Sequence, residues 1–241
     1  MFSRVLIAEW MKARRGLILG LALVGPLISA GMASGGPDVH PEWSPWLASY
    51  FFAVSSYASL WLPLISGVIA AVLCRTEHAG GGWKQLLALP VSRSHVYGAK
   101  YLLLILAVAL MQLLFGAAVL LSGWIAGHPG PIPWDTYLKT TAAGWVAMLP
   151  LTALQLWAAW RWRNFGAAIA VNAVFTVPSI LVANSATLGP WYPWSQPFLA
   201  MIPSGQTWFS VSPATFYVVI LAGFVLFFGG GWARFVSRDW H

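Results

Sequence analysis

The sequence predicts an all-α, polytopic membrane protein. It has six transmembrane helices, an N-terminal amphipathic interfacial helix and both termini on the cytoplasmic side. Three observations predict this: long stretches without charge, prolines gathered between them, and basic residues confined to alternate loops. Charged residues make up 8% of the 241 and hydrophobic ones 59%, against about 25% charged in soluble domains. No polar block is long enough to fold separately, so residues 1–241 read as one membrane domain.

Residues 1–15 form the interfacial helix. Phe2, Val5, Leu6, Trp10 and Ala13 share one face, with Arg4, Arg14 and Arg15 off it. Glu9 falls within the apolar face. Either it pairs with Lys12 one turn on, or it meets a cation on another helix or on a partner. The apolar stretch Leu17–Ala30 superficially resembles a cleavable signal. Because five more spans follow, it reads as a retained first span.

The spans are expected near 16–34, 47–74, 98–126, 138–160, 165–187 and 212–233, each long enough to supply the roughly 20 apolar residues a crossing helix needs. The uncharged run from Arg163 to Arg234 is too long for one crossing. Pro190, Pro193, Pro197, Pro203 and Pro213 break it, which leaves two spans joined by an outer loop, 189–212.

Even-numbered crossings put twelve of the thirteen basic residues on the side of the termini, leaving only Lys139 opposite. The six acids divide equally, so the sides carry +9 and −2, which together make the stated +7. The positive-inside rule makes the first side cytoplasmic. The basic balance therefore reports topology rather than nucleic-acid binding. Tryptophans are expected as interfacial belts: Trp10, Trp83, Trp160, Trp162 and Trp232 at the inner boundary, and Trp43, Trp46, Trp124, Trp134, Trp191, Trp194 and Trp208 at the outer. Trp61 and Trp145 lie deeper and read as packing residues.

No acid, base or histidine stands clearly at mid-membrane depth, which disfavours a proton-coupled carrier. The five histidines lie in loops or the tail, which disfavours bilayer haem ligation and Ser–His proteolysis. Lone Cys74 allows no intrachain disulfide and no thiolate-cluster metal site. It reads as a small apolar residue. Buried polar candidates are Gln112, Gln155, Asn172 and Thr176, read as interhelical hydrogen bonds or as the lining of a substrate path. The chain has no Gly-Lys pair and hence no phosphate-binding loop of the G-x-x-x-x-G-K-[ST] type. Uphill movement would draw its energy from another chain.

The longest inner loop is expected at 75–99, RTEHAGGGWKQLLALPVSRSHVYGA. Its centre reads as a short helix opened by Gly80–Gly82 and closed by Pro90. Trp83, Leu86 and Leu87 share its apolar face, with Lys84 and Gln85 elsewhere. Such a helix either rests at the interface or inserts into a groove on a soluble partner.

Two segments carry a family likeness: Glu9-Trp10-Met11-Lys12 leading into the first span, and Glu77 followed by Trp83-Lys84-Gln-Leu-Leu-Ala-Leu-Pro90-Val-Ser-Arg93 and Tyr97-Gly-Ala-Lys100. The chain resembles the permease subunit of type-2 ABC exporters, most of all the small lantibiotic and bacitracin immunity permeases. The resemblance implies a six-helix permease in a bacterial cell membrane. It would pair with a second permease, identical or homologous, and with two ATP-binding subunits. Cofactors are expected to be none in this chain, with ATP and Mg on the partner. The ATPase-coupling residues it implies are Glu77, Trp83, Lys84, Leu86, Leu87 and Arg93, with Glu9, Trp10 and Lys12 in the interfacial helix. It also implies short re-entrant helices near Trp191–Thr207, where the prolines leave helicity open. The cargo would be hydrophobic or amphipathic: an antimicrobial peptide, a drug or a lipid.

Two other functions fit the topology. One is a membrane assembly or anchoring protein without transport. The other is an intramembrane lipid-modifying enzyme using His40, Glu42, His128 and Asp135 on the outer face.

Overall fold

The computed structural model describes residues 1–33, 43–78, 82–83, 91–162, 164–203 and 212–238. Among the described residues, ten α-helices carry the fold: α1 (Phe2–Lys12), α2 (Arg15–Ala33), α3 (Pro45–Ser56), α4 (Leu62–His78), α5 (Arg93–Ile125), α6 (Trp134–Arg161), α7 (Phe165–Thr176), α8 (Ser179–Ala183), α9 (Gln196–Met201) and α10 (Pro213–Ser237). No strand occurs among the described residues. Among the described residues, six helical stretches are long and apolar enough to cross a membrane: α2, α3–α4, α5, α6, α7–α8 and α10.

Helix starts follow from the local sequence. The side chains of Ser44, Asn164 and Ser212 accept backbone N–H groups from Leu47, Gly166 and Thr215. Pro45 and Pro213 follow their caps directly, where a missing N–H costs nothing.

The second span is the most buried, and α10 and α7–α8 bury least. The second span is also irregular. α3 passes into α4 through a π-helical turn at Tyr57–Trp61. Pro63 has no N–H to bond the carbonyl four residues back, and the Ser179 hydroxyl donates to that carbonyl, Ser59 O, at 2.7 Å. A proline in one span is thereby matched by a serine in another.

α2 packs on α5, α10 on α6, and α4 on both α6 and α7. The outer half of the core is aromatic. Tyr57 stacks on Phe115 at 4.1 Å and Tyr50 on Tyr137 at 4.5 Å. The Tyr137 hydroxyl donates to Trp46 O at 2.8 Å. Trp46 fits only because position 123 is glycine; a side chain there would strike the indole.

Several expectations change. The inner loop is shorter than 75–99, because α4 runs on to His78 and α5 already begins at Arg93. The charges that marked the ends of those spans are absorbed within the helices. Four belt tryptophans, Trp46, Trp83, Trp160 and Trp194, are buried. Trp10, Trp124, Trp134, Trp162, Trp191 and Trp232 are exposed, as a belt requires. The fifth span breaks at Val177–Pro178 rather than running unbroken to 187. Within the outer loop, Gly189–Trp191 is a 3₁₀ turn and α9 is helical. Pro197, Phe198, Leu199 and Met201 of α9 are buried, and the helix packs on α6. Residues 204–211, including Trp208, lie outside the described residues.

Candidate coupling site at the basic end

α1 buries only Val5 and Glu9, four residues apart and therefore on one face. That face lies against α5. Ala13, in extended conformation, turns the chain into α2. The Glu9 carboxylate thus enters protein rather than water, and two lysines meet it. Lys12 pairs with it one turn on, and Lys100 Nζ donates to Glu9 Oε2 at 2.6 Å. Both partners anticipated for Glu9 within this chain are therefore present.

The same two lysines hold Glu77. Lys12 Nζ donates to Oε1 at 2.9 Å and Lys100 Nζ to Oε2 at 3.0 Å. Lys100 also donates to Leu73 O at 2.7 Å. An ammonium has three donors, and here all three are used. Two carboxylates face two ammoniums, so the cluster is locally neutral. Burying single charges would cost several kcal/mol each; complete pairing offsets that cost. Lys100 is only 2% exposed, although sequence alone put it at the loop edge. It stands seven residues into α5, about 10 Å along its axis.

A second layer lies beside this cluster. His78 Nε2–H donates to Ala159 O at 2.8 Å, and Trp83 Nε1–H donates to His78 Nδ1 at 3.2 Å. The Trp83 ring meets Phe235 edge-on at 5.4 Å, and Lys100 Nζ sits 5.7 Å from its centroid. Phe235 in turn packs edge-on against Trp160. Arg93 Nη1 donates to Val236 O at 2.8 Å and Arg238 O at 3.0 Å, which satisfies carbonyls at the open end of α10. The ends of α1, α4, α5, α6 and α10 thus converge around residues 82–83.

A family model described as ABC-2 family transporter protein matches residues 5–179. The chain belongs to this family. The matched stretch contains Glu9, Lys12, Glu77 and Lys100 and ends before α10. No curated protein matches the chain. ABC-2 permeases are membrane subunits of transporters that work with an ABC ATP-binding subunit.

In this ABC-2 chain the anticipated coupling residues fall into two groups. Glu77, Trp83 and Arg93 are engaged within the chain by the contacts above. For Trp83 this differs from an outward apolar face: histidine, phenylalanine and lysine neighbours within the bundle take up its ring. Lys84, Leu86 and Leu87 lie outside the described residues. In α1, Trp10 is exposed, with the Arg15 guanidinium 5.2 Å from its ring.

Gln112, Gln155 and Asn172 are all buried. Gln155 Nε2 donates to Pro63 O at 2.8 Å and Asn172 Oδ1 at 2.9 Å. Asn172 Nδ2 donates to Pro63 O and Leu64 O, and its Oδ1 accepts from Trp194 Nε1. This network ties α4, α6, α7 and the outer loop together, and Gly67 leaves the space that Asn172 occupies. Gln112 sits apart from it, with Nε2 3.6 Å from Met201 Sδ. Gln155 and Asn172 also border a groove of about 320 Å³ with Phe175 and Trp194.

On the outer side, Asp135 pairs with Lys139 in an exposed ion pair, and the His128 ring packs edge-on against Trp46. His40 and Glu42 lie outside the described residues. Among the described residues no three His, Cys, Asp or Glu side chains are grouped to hold a metal.

The residue that sequence reasoning passed over is Lys100. The available signal was two acids, Glu9 on an apolar helix face and Glu77 near a span end, both needing a cation.

Proposed function

We propose that this chain is the permease half of an ATP-driven exporter in a bacterial cell membrane. It would move a hydrophobic or amphipathic substrate outward, as a dimer with an identical or homologous permease. The ATP and Mg sit on a separate subunit. The observation that supports this reading is the Glu9–Lys12–Glu77–Lys100 cluster. It fastens α1 to the two helices that flank the 79–92 connection. A push on that connection, received at Lys84, Leu86 and Leu87, would move α1, α4 and α5 as one body. ATP supplies the free-energy difference between the two states at the nucleotide-binding subunit, since a ligand without differential affinity shifts nothing.

Reconstitution in liposomes with the cognate ATPase, without an ion gradient, tests this. Substrate-stimulated hydrolysis and release are expected. Transport that survives replacement of the ATPase catalytic glutamate but stops when a proton gradient is collapsed would overturn the exporter reading. The contact is tested separately by Leu86→Ala plus Leu87→Ala. The permease should insert normally and lose the ATPase on purification, as truncated anchors worth about 2–4 kcal/mol would predict.

A further inference from the structure

The elbow between α1 and α2 leaves a groove of about 390 Å³ against α5. That is within the range of small-molecule sites, about 300–1,000 Å³. Leu6, Ile18, Leu73, Leu103, Ala107 and Leu110 line it. Two exposed residues of its lining carry polar groups. Trp10 offers an indole, and Arg15 lies over that ring while donating from Nε to Trp10 O at 3.3 Å. Arg14 beside it is also exposed. Neither arginine has a carboxylate partner among the described residues.

We propose that this groove holds an acyl chain of an anionic phospholipid from the leaflet at the basic end, with the phosphate at Arg15 and Arg14. The wall chemistry selects the occupant. Away from the Trp10 and Arg15 rim, a peptide in the groove would bury amides against aliphatic side chains that offer no hydrogen bond; a hydrocarbon chain needs none. The basic rim complements a phosphate and a net negative headgroup. Trp10 marks the headgroup level, where indoles settle. The groove is separate from the buried ion cluster, so the lipid site stands whether or not the chain exports anything.

The test is native mass spectrometry of the purified full chain. After delipidation it is offered phosphatidylglycerol or phosphatidylcholine with matched acyl chains. One phosphatidylglycerol should be retained in preference to phosphatidylcholine. Arg15→Gln should keep a lipid but reduce the preference about fivefold, the scale expected for one basic residue near an anionic surface. Ala107→Phe fills the groove and should abolish retention of both. Should Ala107→Phe misfold, Leu106→Trp at the exposed edge of the groove makes the same test. Equal retention of the two lipids by the native chain would overturn the proposal, as would unchanged retention in the filled variants. Displacement of the lipid by an amphipathic peptide regardless of headgroup would assign the groove to a peptide instead.

Discussion

Lys100 and Glu77 meet across the inner end of the bundle at 3.0 Å, with side chains 2% and 3% exposed. Neither has enough solvent contact to stay charged alone. Their 23-residue separation closes the base of the connection between α4 and α5.

This pair predicts non-additive mutants. Lys100→Met leaves Glu9 and Glu77 with only Lys12 and should cost about 3–5 kcal/mol. Adding Glu77→Met restores local neutrality. The double variant should therefore be less destabilised than the sum of the two singles, by about 0.5–3 kcal/mol. Thermal unfolding in detergent, run on all four proteins, measures this. Strict additivity would show that the two side chains do not interact.

Gly67→Ala should act like a change at Asn172. The added methyl strikes the Asn172 amide and displaces it from Pro63 O, Leu64 O and the Trp194 indole. Each buried group left unpaired costs about 1–3 kcal/mol. Both Gly67→Ala and Asn172→Leu should lower the unfolding temperature, and combining them should add little. Full additivity would mean that Asn172 is not what the glycine accommodates.

Arg93→Ala should release the end of α10. Hydrogen bonds to a charged donor contribute about 1.5–3 kcal/mol. Amide exchange over residues 232–238 should speed up accordingly, with α2 unchanged. Unaltered exchange in that segment would count against the clamp.

Topology yields a simpler expectation. A reporter fused after His241 should be active only on the cytoplasmic side, given the twelve-to-one division of basic residues. A signal from the far side, with the chain intact, would reverse the arrangement.

Much of the fold could be read from sequence, for identifiable reasons. Spans show themselves because a helix in hydrocarbon tolerates few charges, and the five prolines from Pro190 to Pro213 mark a break that no continuous helix could contain. Glu9 stood out because a carboxylate on an apolar face requires a partner. Lys100 did not, because charge counting assigns a lysine beside a loop to water; only the approach of α1, 91 residues away, takes it inside. Trp46 and Trp194 were hidden for a related reason. An indole near a span end suits the lipid boundary equally well, until Gly123 makes a seat for the first and Asn172 accepts a bond from the second. Gln155 and Asn172 could be seen to need hydrogen bonds. That their shared acceptor would be Pro63 O depends on packing between spans, which one-dimensional patterning does not carry.

The Arg93 clamp also bears on biogenesis. Its acceptors lie 143 and 145 residues later in the chain. While α10 is still being synthesised, the face at residues 82–83 lacks Phe235, and Arg93 lacks its two carbonyls. A ribosome-bound intermediate with five spans inserted therefore presents an unfinished inner surface. The platform around Trp83 is completed only by α10, which orders its assembly after synthesis of the five described spans that precede that helix.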